Sequence, residues 1–116
     1  MRILHLTDRL SDRGGAYWHL LGVLKSQIAE GHAVHVAAGS GDPRHLPPAC
    51  PWTIVHALDA RTRQAAALDA VVETAAPDLI HVHTVVNPAV LEWAADRGAV
   101  ITVQDHRYFC PGQKYR

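Results

Sequence analysis

The sequence predicts a doubly wound α/β domain on a parallel sheet of about five strands in the order 3-2-1-4-5. Three observations carry this. Short, near-continuous apolar runs recur along the chain: RILHLTD at 2–8, AVHVAAGS at 33–40, WTIVHAL at 52–58, DLIHVHT at 78–84 and AVITVQD at 99–105. Such runs, lacking polar alternation, read as strands buried on both faces, which is the habit of parallel sheets. Segments of helical period separate most of them, and right-handed crossovers then put the first strand at the centre.

Each element has its own signal. The first run ends in a polar cluster at Asp8. From Gly15 onward Tyr17, Leu20, Leu21, Leu24 and Ile28 recur at spacings of three and four, the stripe of an amphipathic helix against a sheet, and Gly31 stops it. The second strand ends in small residues. GDPRHLPPACP at 41–51 is predicted to be irregular, because its prolines remove donors and restrict their neighbours. Arg61 to Ala76 is alanine-rich and helical, and Pro77 ends it. Asn87 caps a short helix with Pro88 at its first position, Leu91, Ala94 and Ala95 as its inner face and Gly98 at its close. HRYFCPGQKYR at 106–116 reads as a loop.

Composition bounds the class. At 116 residues, 48% hydrophobic and 19% charged, the chain is expected to be one globular domain spanning 1–116. A formal net charge of zero argues against a nucleic-acid partner, which calls for a basic stripe. No apolar run approaches the ~20 residues of a spanning helix. Asp8 falls too early in the first run for a good signal peptide, so a cytoplasmic location is expected. Cys50 and Cys110 give neither a disulfide framework nor a C-x-x-C pair.

In an open sheet of this kind, ligands bind beyond the carboxyl ends of the strands, at the switch between strands 1 and 4. That rule selects Asp8, Ser11, Asp12, Arg13, Gly14 and Gly15 after strand 1. It selects Gly39, Ser40 and Gly41 after strand 2 and His83, Thr84 and Asn87 after strand 4. After strand 5 come Gln104, Asp105, His106 and Arg107. Gly14-Gly15 opens a helix, where free N–H groups and the helix dipole favour a phosphate and glycine permits close approach; a steric corner accounts for the pair equally well. A dinucleotide fingerprint is excluded: it needs G-x-G-x-x-G directly after the strand and an acidic residue closing strand 2, whereas that strand ends AAGSG.

The chain has nine histidines. His81 and His83 lie two apart and so share a strand face. That spacing can bind metal, but no nearby Asp or Glu completes an obvious first shell within the strand. The expectation is no metal, with His81 a hydrogen-bonded core residue and His83 a strand-end site residue. His5, His19, His45 and His56 show no pattern. Asp105-His106 reads equally as an acid–base couple or as surface loop.

Taken in order, MRILHLTD, a loop with RGGA, the helix and strand HLLGVLKSQIAEGHAVHVAAG, then PDLIHVHT and VITVQDHRYFCPG resemble the amino-terminal half of family 4 glycosyltransferases. The likeness runs over nearly the whole chain and is weakest from 42 to 70. It implies a GT-B architecture: two Rossmann-like domains with the active site between them, the first binding mainly the acceptor. It implies transfer from a nucleotide-diphosphate sugar with retention, with that donor as co-substrate and no further cofactor. By the resemblance Gly14 and Gly15 face the donor diphosphate, and His81 and His83 match the family's H-x-H with His83 nearer the cleft. Thr102, Val103, Gln104 and Asp105 match its T-x-H-D, with glutamine where members often have histidine; glutamine hydrogen-bonds a hydroxyl but does not titrate.

Topological rule and resemblance together give His83, Gln104, Asp105 and His106 as candidate catalytic residues. Arg13, Gly14, Gly15, Ser40, Thr84 and Asn87 are the candidate donor-phosphate and substrate contacts. The chain is expected to be a fragment, incomplete relative to a full first domain, whose carboxyl-terminal donor domain is supplied in cis or as a separate chain. Alone it is expected to transfer no sugar. An open sheet edge predicts self-association, measurable as concentration-dependent sedimentation. Relatives with lipid acceptors often touch the inner membrane face peripherally; no basic amphipathic helix here argues for that. Two other functions stay open: part of a nucleotide-sugar epimerase of the same architecture, and a non-catalytic binding or assembly domain.

Overall fold

The computed structural model describes residues 1–11, 15–59, 65–85 and 87–102. Five parallel strands form one sheet in the order β3-β2-β1-β4-β5, as the apolar runs predict. The strands are β1 (Arg2–Leu10), β2 (Ala33–Gly41), β3 (Trp52–Ile54), β4 (Leu79–Val82) and β5 (Val100–Ile101). The helices are α1 (Gly15–Ala29), α2 (Ala67–Ala75) and α3 (Pro88–Asp96). Short 3-10 turns occupy Pro43–His45 and His56–Asp59.

The central strand explains the two-sided core. Alternate β1 side chains go to opposite faces. Ile3 packs with Tyr17, Leu20, Leu21 and Leu24 of α1, together with Val34, Val36 and Cys50. Leu4 and Leu6 pack on the other side with Leu58, Leu68 and Val71, and with Val90, Trp93 and Ala94 of α3. Leu4, Leu6, Leu24 and Leu68 have no exposed surface, and each such leucine contributes roughly 2 kcal/mol or more of transfer free energy. The α1 stripe read from the sequence is therefore the observed one.

Several boundaries differ from those the sequence predicts. β1 runs two residues past Asp8, because Arg9 and Leu10 keep pairing with Ser40 and Gly41. Gly41 has φ +108°, and a Cβ there would lie 2.2 Å from the Leu10 carbonyl oxygen, so only glycine closes the ladder this tightly. β3 stops at Ile54 instead of continuing to Leu58. Val55 still donates to Ala38 O (2.7 Å), but the chain then turns through His56–Asp59 and brings Asp59 back over Gly39. α2 begins at Ala67, later than the predicted Arg61; residues 60–64 lie outside the described set. Ala76 ends it in the left-handed region (φ 44°), its N–H bonding Val72 O.

The inner face of α3 is also corrected. Asn87 caps it as expected, its Oδ1 accepting from Ala89 N at 3.0 Å. With Pro88 as the first residue, the buried set is Val90, Trp93 and Ala94, while Leu91 is half-buried and Ala95 is exposed. The stripe is rotated by one position because Trp93, the largest apolar side chain, takes the inward place. Its indole N–H donates to Asp69 Oδ1 (3.0 Å) and Arg97 stacks over its ring at 4.1 Å. Among the described residues, no helix is long and apolar enough to cross a membrane.

Candidate functional site at the carboxyl edge of β1 and β4

The strand order reverses between β1 and β4, and the polar groups of the carboxyl edge gather there. Pairing continues past the end of β4: His83 N donates to Leu6 O (2.8 Å) and Asp8 N to Thr84 O (2.6 Å). This sets the side chains of residues 83 and 84 beside β1. Thr84 Oγ1 donates to Asp8 Oδ1 at 2.9 Å. Its one proton being so used, the Thr7 hydroxyl, 3.2 Å away, is the donor to Thr84. Gly15 begins α1 close after β1, so the positive end of that helix dipole lies at the same edge.

On the β2 side the centre is Asp59, which the sequence reading passed over. Ser40 Oγ donates to Asp59 Oδ2 at 2.5 Å, and Arg9 donates to the same oxygen at 3.4 Å. Asp59 reaches this position only because Gly39 has no side chain to obstruct it. A cavity of about 330 Å³ adjoins these groups, lined by Arg9, Leu10, Ser11, Gly41, Asp42, Arg44 and His45. A larger one, about 400 Å³, sits at the opposite, amino edge among Arg2, Ile3, Ala33, Val34, His35 and Pro51. Size favours the second; two arginines, a serine, an aspartate and a histidine favour the first as a place for a polar ligand.

Under the polar edge lies a histidine cluster. His5 of β1 stands in register opposite His81 of β4, and His83 follows on the same face. His5 Nδ1 lies 2.8 Å from His83 Nε2, and His5 Nε2 lies 2.7 Å from Gln27 Oε1 of α1. His81 and His83 stack with ring centroids 4.1 Å apart, and His81 Nε2 is hydrogen-bonded to Thr102 Oγ1. His19 of α1 approaches His83 edge-on at 6.4 Å. Burial sets the charge state. It lowers the His83 pKa from 6.5 to about 2, with the fields of His81, His5 and His19 adding to the effect. It lowers that of His5 to about 4 against the opposing effect of the hydrogen bond it donates to Gln27 Oε1. His81 is also lowered, by burial and then His19. These are neutral imidazoles at pH 7, able to donate or accept one hydrogen bond per nitrogen.

The candidate residues thus divide. His83 and Thr84 come together with Asp8 on the switch, both nearly enclosed. Ser40 joins the Asp59 group. Asn87 is fully buried and committed to the fold: besides capping α3, its Nδ2 donates to Ala57 O at 2.9 Å. Arg13, Gly14, Gln104, Asp105 and His106 lie outside the described residues. His5 and Gln27 are new members. The signal for His5 was present: laid side by side from their first apolar residues, ILHLTD and LIHVHT put His5 next to His81.

The fold and this edge define the chain as a doubly wound α/β domain with a polar switch-point site. Comparison with protein-family models, curated proteins and solved structures finds no match to it.

Proposed function

We propose that this chain forms the acceptor-side wall of a retaining glycosyltransferase, completed by a nucleotide-sugar-binding domain in cis or as a separate chain. The observation that carries the reading is the hydrogen-bonded pair of Asp8 and Thr84 at the β1/β4 switch, with α1 starting at Gly15 shortly after β1 in the chain. Sugars are bound through arrays of paired donors and acceptors, and the Asp8 carboxylate with its two threonine hydroxyls is such an array. The amino end of α1 supplies positive potential for a leaving diphosphate. His83, nearly enclosed beneath this edge and held neutral by burial, brings no charge to the reaction. Nothing in this scheme needs a membrane-spanning helix; the cytoplasm is its proposed place.

The test supplies the protein as encoded with labelled nucleotide-diphosphate sugars and a panel of hydroxyl acceptors. The expected result is label on an acceptor with its anomeric configuration retained. Release of free sugar without transfer would identify an epimerase instead. No consumption of any donor would leave a binding or assembly role.

A further inference from the structure

Three ring nitrogens, one each from His5, His81 and His83, lie within 4.8 Å of one another. They come from two adjacent strands far apart in the chain, and they sit on the face covered by α1. Two of the three histidines are already oriented by groups behind them: Gln27 Oε1 holds Nε2 of His5, and Thr102 Oγ1 holds Nε2 of His81. That is the pattern of metal-ligating histidines, whose second nitrogen is fixed by an oxygen of the outer shell. With Gln27 accepting from Nε2–H, the lone pair of His5 is on Nδ1 and faces His83 Nε2 at 2.8 Å.

We propose that His5, His81 and His83 form a binding site for one divalent transition-metal ion of the zinc type. Three imidazoles suit zinc, cobalt, nickel or copper; magnesium and calcium prefer oxygen. Zinc–nitrogen bonds of about 2.0–2.1 Å put tetrahedral ligand atoms about 3.4 Å apart, so the His5–His83 pair, now at 2.8 Å, has to part by about half an ångström. His83 binds through Nε2 as its Nδ1–H tautomer, which is equally neutral, so no net proton is released. His81 is only partly buried and gives the ion a way in. The ion ties β1 to β4 across the switch and so raises the stability of the sheet centre. The inference does not rest on the sugar-transfer reading, since its readouts are stoichiometry, spectrum and melting temperature.

The experiment titrates the chelator-stripped 116-residue chain with Zn²⁺ by calorimetry and with Co²⁺ by visible absorption. Expected are one ion per chain, the intense bands of tetrahedral cobalt, a higher Tm with Zn²⁺ and no change with Mg²⁺. His81→Gln, at a partly buried position, weakens Zn²⁺ binding at least tenfold. Gln27→Ala weakens it by roughly ten- to a hundredfold through His5 alone. His56→Ala, at an exposed histidine far from the cluster in the chain, leaves it unchanged. Circular dichroism on each variant separates loss of the site from loss of the fold. No saturable binding to the wild-type chain, or equal affinity in folded His81→Gln, overturns the proposal.

Discussion

Replacing Gly39 by alanine lowers the stability of the fold by roughly 3 kcal/mol or more, a fall in Tm on the order of 10 °C for a domain of this size. The cause is local and steric. A Cβ at residue 39 would lie 2.3 Å from both the backbone N and the Cβ of Asp59, and 2.7 Å from the Asp8 carbonyl oxygen. None of these is the far end of a flexible side chain, so the His56–Asp59 turn has to move as a unit. Moving it breaks the Ser40–Asp59 hydrogen bond and draws Leu58, which has no exposed surface, out of the core. Gly22→Ala is the internal control. Gly22 lies in α1 with nothing within 4 Å of its would-be Cβ, so alanine there gains about 0.5–1 kcal/mol from helix propensity. Urea denaturation of the two variants checks both signs, and a Gly39→Ala protein as stable as wild type would refute the close approach of Asp59.

The metal-free protein loses stability on mild acidification, because His5 and His83 are folded into places where they do not accept protons. Their folded pKa values, about 4 and about 2, lie below the 6.5 of the unfolded chain. Between those limits the unfolded state binds more protons than the native state. The stabilising contribution is therefore complete above about pH 6.5 and declines as the pH falls below it. The limiting slope is about 1.4 kcal/mol per pH unit for each histidine, in effect down to about pH 4 for His5 and lower for His83. Burial is the main cause of the low His83 value, and the fields of His81, His5 and His19 add to it. Urea midpoints measured with chelator at about pH 7.5 and about pH 5 check this. The midpoint drops sharply in wild type and less in His5→Gln; a midpoint that holds constant contradicts the burial of neutral histidines.

The strand set and its order were legible because every strand of this sheet is an apolar run, and crossover handedness then leaves few arrangements. The α1 face and the Asn87 cap were legible for the same reason: each depends on residues within a turn or two. What escaped depends on partners distant in sequence. β3 ends early because Asp59 closes over Gly39, a contact between two elements that neither segment announces. The inward face of α3 is set by where Trp93 finds Asp69 of α2, not by the apolar count of the helix alone. His5 looked like one of several scattered histidines until the parallel register placed it beside His81. The site was legible as a location, through the switch-point rule, and less so as a set of side chains. Asn87 proved to be spent on the fold, whereas Asp8, Thr7 and Asp59 carry much of the polarity of the edge.

The central claim is that the amino end of α1 at the β1/β4 switch receives the leaving diphosphate of a sugar donor. The most direct measurement is the rate of sugar transfer by the encoded protein carrying Gly15→Val. A branched side chain on the first residue of α1 keeps the backbone donors but bars close approach of phosphate oxygens. The account predicts a fall in kcat/KM on the order of a hundredfold, the scale of losing one preorganised donor, in protein that circular dichroism shows to be folded. Transfer at the wild-type rate by the folded Gly15→Val protein would contradict it.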